Sequence, residues 1–405
     1  MKKIAIFTSA RSDYGPLRRV IELCSSAFDL DLLVADLHYT APQTAASEIR
    51  NHIENFAVRE VPINLKLADT SHRARTEAIA QGQSSMARWL EQQHYDCLVI
   101  LGDRWELFAA SIPALMFQIP IAHISGGEVT EGALDDSIRH AHSKMASLHF
   151  VANTGYANNL SRMGEEDWRI TVSGECGLDS IHHHHFASFD ELLEQRKVDL
   201  AQQFMLVTYH PATNDLTTTV DAQVDGLLKA LGHFPAYNII FTAPGNEQGA
   251  DLIVQKIIQY SQTHRHVQFI ANFGSRHYLT VLRNAKVVIG NSSSGLVEAA
   301  SFGVPCVNVG QRQSGRMAAQ SVLNTDYSEQ DIIAQINKAL TPAFQKFSQE
   351  CVNPYDPYRD GRNSERIVFA LQNALNTLSP QQLIQKKLNF EVQNHQWNTL
   401  LEGLK

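Results

Sequence analysis

Short apolar runs rich in Val, Ile, Leu and Phe recur along the chain without strict polar alternation. Residues 4–7, 31–34, 97–100, 121–124 and 149–152 form a first series, and residues 205–208, 238–242, 267–270, 287–290 and 306–309 a second. Strands that are apolar on both faces are buried on both faces, which points to parallel strands covered by helices. Helical periodicity fills the stretches between the runs, so the pattern predicts doubly wound α/β domains. Two series predict two such domains.

Between the series, Asp190-Glu-Leu-Leu-Glu-Gln-Arg-Lys197 reads as a solvated helix and Gly174-Glu-Cys-Gly177 as a turn, which puts a domain boundary near residue 180. The expected units are 1–180, an N-terminal domain, and 181–365, a C-terminal one. Asp360-Gly-Arg-Asn363 is a turn signal ahead of an apolar helical run over 367–375, and 366–405 is a helical segment that periodicity alone assigns to neither domain.

Composition narrows the function. At 405 residues and 44% apolar content the chain has the make-up of a globular protein with more than one core. A formal charge of −8 argues against nucleic acid or an anionic membrane as the main partner, because both need an excess of Lys and Arg. A small anionic substrate stays open if basic groups are focused locally. The five cysteines form no CxxC pair and read as reduced, mostly buried thiols, not as a disulfide framework or a zinc site. Residues 1–7 begin like a signal peptide, but the apolar run stops at Thr8-Ser-Ala-Arg11, short of the usual length. No run reaches a membrane-spanning length, so the expected location is the cytoplasm.

Ligands of doubly wound sheets bind beyond the carboxyl ends of the strands, and the loops at those ends carry the candidate chemistry. Thr8-Ser-Ala-Arg-Ser-Asp-Tyr-Gly15 contains no GxGxxG, and no Walker lysine occurs in the chain, which disfavours nicotinamide and P-loop chemistry. Here Arg11 and Asp13 either build a helix-capping turn or set Arg11 beside a phosphate. Asp103 of Gly102-Asp-Arg104 sits at a strand tip, where it can cap the next helix or face a ligand. The stretch His123-Ile-Ser-Gly-Gly-Glu-Val-Thr-Glu-Gly-Ala-Leu-Asp-Asp136 then crowds Glu128, Glu131, Asp135 and Asp136 onto the same rim. Like charges raise one another's pKa and cost stability, so such acids are either splayed into water or kept for proton transfer. Asp135 and Asp136 open a helical run to Met145, where the helix dipole favours acids; for Asp136 that suffices.

In the second half, Thr208-Tyr-His-Pro211 places His210 at a strand end, pointing across at the first rim if the two domains face each other. Gly290-Asn-Ser-Ser-Ser-Gly295 joins a strand to a helix, and the N–H groups and hydroxyls there, with Ser292 and Ser293, suit an anion. Glu298, on that helix, can accept two ribose hydroxyls. Gly310-Gln-Arg-Gln-Ser-Gly-Arg316 supplies Arg312 and Arg316, as ligand cations or as a solvated loop. The histidines at 182–185 are contiguous and cannot converge on one ion, so they read as an exposed linker and no metal site is expected.

Together, Gly102-Asp-Arg104, His123-Ile-Ser-Gly-Gly-Glu128, Asp135-Asp-Ser-Ile-Arg-His140, His210-Pro-Ala-Thr213, Gly290-Asn-Ser-Ser-Ser-Gly295 and Gly310-Gln-Arg312 resemble, in this order, the hydrolysing UDP-N-acetylglucosamine 2-epimerases of sialic acid biosynthesis. The resemblance implies a glycosyltransferase-B type fold, with two Rossmann-like domains facing across a cleft that holds the nucleotide sugar, and a C-terminal segment that crosses back to the first domain. It implies UDP-N-acetylglucosamine as substrate, N-acetylmannosamine and UDP as products, no cofactor, and a homodimer or homotetramer. By position, Asp103, Glu128 and Asp135 flank the sugar, and His210 meets the phosphate or sugar as the leaving group departs. Ser292 and Ser293 hold the diphosphate, Glu298 the ribose and Arg11 another part of UDP; Arg104, Asn246, Arg312 and Arg316 complete the binding set. One departure stands out: relatives, including the animal enzyme, can carry an acid where this chain has Ser125.

The acids suit that chemistry. Taking a weakly acidic C2 proton while UDP leaves C1, then adding water to the glycal, needs a carboxylate base, an acid and a stabilised leaving group. Three rivals remain: the same reaction on UDP-N,N'-diacetylbacillosamine, a glycosyltransferase of this fold, and a nucleotide-sugar-binding regulator without catalysis. The last is opposed by the acidic rim, which weakens anion binding.

Overall fold

In β1 (Lys3–Thr8), Ile4 and Ile6 face one side and Ala5 and Phe7 the other, and all four are fully buried. Ile4 and Ile6 join a core with Leu17, Val20 and Ile21 of the helix Arg11–Ala27 and with Ile367, Leu371 and Leu375 of the helix Asn363–Thr377. Ala5 and Phe7 join a second core with Ala78 and Met86 of the helix His72–Leu90 and Ala109, Ala110 and Ala114 of the helix Phe108–Met116. Each large side chain so buried contributes about 1.5–3 kcal/mol, and this two-sided burial is what makes β1 an unbroken apolar run.

The computed structural model describes residues 1–388 apart from 41–43, 132, 184, 185, 199, 213, 214, 216 and 246–248, and the side chain of Arg11 is also outside the described residues. The first sheet adds β2 (Asp29–Ala35), β3 (Val58–Ile63), β4 (Cys97–Leu101), β5 (Ile121–Ile124), β6 (Leu148–Val151) and β7 (Ile170–Val172), in the order β3-β2-β1-β4-β5-β6-β7. The second is formed by β8 (Phe204–Thr208), β9 (Asn238–Thr242), β10 (Val267–Phe269), β11 (Val287–Gly290), β12 (Cys306–Val309) and β13 (Val322–Thr325), in the order β10-β9-β8-β11-β12-β13. Every pairing in both sheets is parallel. The architecture is the expected one, two Rossmann-like domains facing across a cleft in the glycosyltransferase-B manner.

Strand order reverses between β1 and β4 and again between β8 and β11. Connections leaving the two strands at such a point run to opposite faces of the sheet and open a crevice at the carboxyl ends. The loops carrying Arg11, Asp103, His210 and Ser292 leave those four strands.

The chain returns to the first domain at its end. Asp179 accepts the backbone N–H groups of Asn363 at 2.9 Å and Ser364 at 2.6 Å, anchoring the start of the helix Asn363–Thr377 with a carboxylate. Arg169, buried, donates to the carbonyls of Gln382, Leu383 and Gln385 beyond it. His182 and His183, expected in a linker, instead end the short helix Asp179–His183, and reach Asp356 at 3.3 Å and the carbonyl of Gly361 at 3.0 Å; His184 and His185 are outside the described residues.

Glu165 gathers the same region. Burial alone would raise its pKa, but hydrogen bonds from His149, Lys144 and Lys386 outweigh that and lower it to about 2. A depressed carboxylate pKa stabilises the fold above the unfolded value and loses that contribution as pH falls toward the folded one. Glu165→Gln should therefore remove part of the acid dependence of unfolding between about pH 4.5 and about pH 2. Identical denaturation profiles of variant and wild type across that window would contradict it.

Candidate active site

Gly102, at the end of β4, takes a φ of 81° and turns the chain so that Asp103 follows at the rim. Burial and the neighbouring His142 lower the His123 pKa to about 3, so its ring is neutral near pH 7. Neutral His123 donates through Nε2 to the Gly102 carbonyl at 2.7 Å, and its Nδ1 then accepts from the Ser143 hydroxyl at 3.2 Å. Asp103 does not cap the following helix: Arg104 occupies the N-cap of the 3₁₀ turn Trp105–Leu107, with no side-chain cap. The Asp103 carboxylate instead meets the Arg139 guanidinium. Arg104 pairs with buried Glu106 at 2.5 Å and donates to Ser12 at 3.3 Å.

The loop after β5 needs its glycines. Gly127 has a φ of 71°, and a Cβ there would come within 2.5 Å of the Tyr156 carbonyl. The turn sends Glu128 inward, 2% exposed, where it lies 3.5 Å from Nη1 of Arg139 and pairs with Arg316. Arg139, also 2% exposed, donates to Thr130 at 3.2 Å. Burial and the Arg316 cation pull the Arg139 pKa down to about 9, which leaves it charged at neutral pH. Asp136 stands in the first turn of the helix Asp135–Met145, accepts the Thr130 N–H at 2.6 Å and lies 3.4 Å from His140, so it also fastens the loop. Asp135 stays partly exposed, 3.9 Å from Arg312. The crowded acids are thus divided between water and buried guanidinium groups.

On the facing rim, Asn291 holds the His210 backbone from both sides, accepting its N–H at 2.6 Å and donating to its carbonyl at 2.8 Å. His210 Nδ1 accepts the Gly245 N–H at 3.1 Å, which leaves the proton of the neutral ring on Nε2. Only glycine fits at 290: φ is 127°, and a Cβ would sit 2.0 Å from the Thr208 carbonyl. Ser292 is the N-cap of the helix Ser293–Val297 and Ser293 its exposed first residue. Glu298 follows that helix, its pKa raised by burial. Arg312 and Gln313 both donate to the Asn291 carbonyl, at 3.3 and 2.8 Å, which ties the loops after β11 and β12 together.

The rims touch. Arg316 reaches Glu128, Arg312 approaches Asp135, and the Glu131 N–H donates to the Ser314 carbonyl at 3.0 Å. The structure therefore brings Asp103, Glu128, Asp135, Arg312 and Arg316 into one cluster, with Ser292, Ser293, Glu298 and His210 on the second rim. Arg104 sits at the edge of the first. The Arg11 side chain and Asn246 are outside the described residues. The sequence motifs assign no role to two residues of this cluster. Arg139 lies one helical turn after Asp135, a spacing that puts both on one face and could have revealed it. Glu175, beyond β7, shares a hydrogen bond with Ser125 at 2.8 Å; β7 is too short to mark a strand tip in the sequence. Among the described residues, no three His, Cys, Asp or Glu side chains are placed to hold a metal ion, and no helix is long and apolar enough to cross a membrane.

A sequence model of the family described as UDP-N-acetylglucosamine 2-epimerase matches residues 23–372. The GDP/UDP-N,N'-diacetylbacillosamine 2-epimerase (hydrolyzing) of Campylobacter jejuni is 32% identical over 332 residues, covering 82% of this chain and 86% of its own. The polysialic acid biosynthesis protein P7 of Escherichia coli is 30% identical over 371 residues, covering 91% and 94%. In fold, the crystal structure of Methanocaldococcus jannaschii UDP-GlcNAc 2-epimerase in complex with UDP-GlcNAc and UDP superposes with a TM-score of 0.75 at 16% identity, covering 92% of this chain and 99% of that one.

Proposed function

The chain belongs to the UDP-N-acetylglucosamine 2-epimerase family, and from that premise we propose that it hydrolyses UDP-N-acetylglucosamine to N-acetylmannosamine and UDP, the first step toward sialic acid. The observation that carries this reading is the convergence of Asp103 and Glu128 on buried Arg139, opposite Arg312, Arg316 and His210 of the other rim. A carboxylate of the first rim takes the C2 proton. The C2–H electron pair becomes the C1=C2 bond and the C1–O pair leaves with UDP, whose charge the second rim stabilises. Water then adds across the glycal, its hydroxyl to C1 and a proton to C2 from the other face.

Ser292 and Ser293 receive the diphosphate and Glu298 the ribose. Arg312 and Arg316 now lie against Asp135 and Glu128; an incoming diphosphate competes for these cations and frees the acids for proton transfer. Glu298→Ala and Arg312→Ala should therefore raise KM about tenfold to a hundredfold, the worth of one hydrogen bond to a charged group, with kcat changed less. A variant with unchanged KM would remove its residue from the UDP site.

Two measurements test the reaction itself. UDP should be released from UDP-N-acetylglucosamine, and turnover in deuterated water should place deuterium at C2 of the N-acetylmannosamine. Product with only protium at C2 would exclude elimination. The similarity to the Campylobacter enzyme supports a second reading, the same reaction on UDP-N,N'-diacetylbacillosamine. A higher kcat/KM for that sugar would make it the substrate.

A further inference from the structure

Glu175 is an acid for which the mechanism above has no use. It follows β7, and its backbone is held on both sides, its N–H donating to the Tyr355 carbonyl at 2.9 Å and its carbonyl accepting from Asn363 at 3.1 Å. Its carboxylate accepts from the Ser125 hydroxyl at 2.8 Å and more distantly from the Gly177 N–H at 3.4 Å. Ser125 also has a left-handed φ of 60°, a conformation unfavourable for residues other than Gly, Asn or Asp. Such strain is found where a side chain is held for a purpose. A hydroxyl also suits both protonation states, since it donates to a carboxylate and accepts from a carboxylic acid.

We propose that Glu175 is a further catalytic residue, the acid that protonates C2 of the glycal in the hydration step, with Ser125 as its positioning residue. The assignment rests on the hydrolysing reaction proposed above. In that step the Glu175 O–H bond breaks and its proton goes to C2, where the C1=C2 electron pair forms the new C–H bond. Water oxygen bonds to C1 and gives its proton to a carboxylate of the first rim, and exchange with solvent then resets both acids. No other reactant is required.

The surroundings favour the protonated form of Glu175. Burial raises its pKa, the Glu128 charge and more weakly Glu298 raise it further, and the hydrogen bonds from Ser125 and Gly177 offset only part, leaving it at about 7. Arg139, from the helix Asp135–Met145, and Cys176, beside it in the chain, also lie in its field. Near neutral pH a carboxyl so placed exchanges its proton readily, as an acid catalyst must.

Glu175→Gln tests this, because the amide keeps the size and can still accept from Ser125 but carries no acidic proton. Wild type and variant are supplied with UDP-N-acetylglucosamine and, separately, with the 2-acetamidoglucal. The variant should release UDP within about fivefold of the wild-type rate yet hydrate the glycal about a hundredfold to ten-thousandfold more slowly, so that the glycal accumulates. Wild-type hydration should fall as pH rises through about 7, and the variant should lack that dependence. Ser125→Ala removes a hydrogen bond that favours the carboxylate, and should move the fall to higher pH; this second arm decides if Glu175→Gln does not fold. Hydration by Glu175→Gln at the wild-type rate, or an unmoved fall in Ser125→Ala, overturns the assignment while UDP release stands. Wild-type protein that releases no UDP overturns the proposed reaction, and this assignment with it.

Discussion

Asp103→Asn is expected to lower kcat by about two to four orders of magnitude, the range for removing a positioned acid or base, with KM changed little. The amide keeps the volume and still offers an oxygen to Arg139, so the change isolates proton transfer from packing. Glu128→Gln and Asp135→Asn extend the test with different expectations. Glu128 is enclosed by Arg139 and Arg316, while Asp135 is partly exposed at a helix start 3.9 Å from Arg312. A Glu128→Gln enzyme with near-normal kcat would leave the acid–base work of the first rim to Asp103 and Asp135. Steady-state kinetics on all three decides the larger question: wild-type kcat throughout, in folded protein, would misplace the site.

The second large effect falls on stability. Arg139→Met should destabilise the protein by about 3–5 kcal/mol at pH 7, the usual result of removing one partner from a buried ionic cluster. Asp103 loses its guanidinium and Glu128 keeps only Arg316. Denaturant unfolding at pH 7 measures this, and a variant as stable as wild type would show that Arg139 leaves no uncompensated charge behind.

Much of the fold was legible because burial acts locally on composition. Strands covered on both faces, such as β1, β4, β5, β8 and β11, must be apolar at every position and announce themselves. The missed strands β3, β7 and β13 are all sheet edges. β3, Val-Arg-Glu-Val-Pro-Ile, is buried only at Val61 and Ile63 and is interrupted by Arg59, Glu60 and Pro62, so it lacks the unbroken run. Missing β7 hid Glu175, since a residue not known to follow a strand tip has no reason to face a cleft.

The site divides in the same way. From the sequence alone came the two parallel domains, the loops at their strand tips, and Asp103, Glu128, His210, Ser292 and Arg312 as the residues those loops carry; each follows from a local period or a short motif. Tertiary structure decided which acid meets which cation. Arg316 and Glu128 are 188 residues apart in the chain and lie on different domains, and Ser125 meets Glu175 across 50 residues. No local pattern encodes such pairs. They depend on how the two sheets are set face to face, and that is fixed by the return of the helix Asn363–Thr377 onto the first core and by the turns at Gly102, Gly127 and Gly290 that aim each rim at the other.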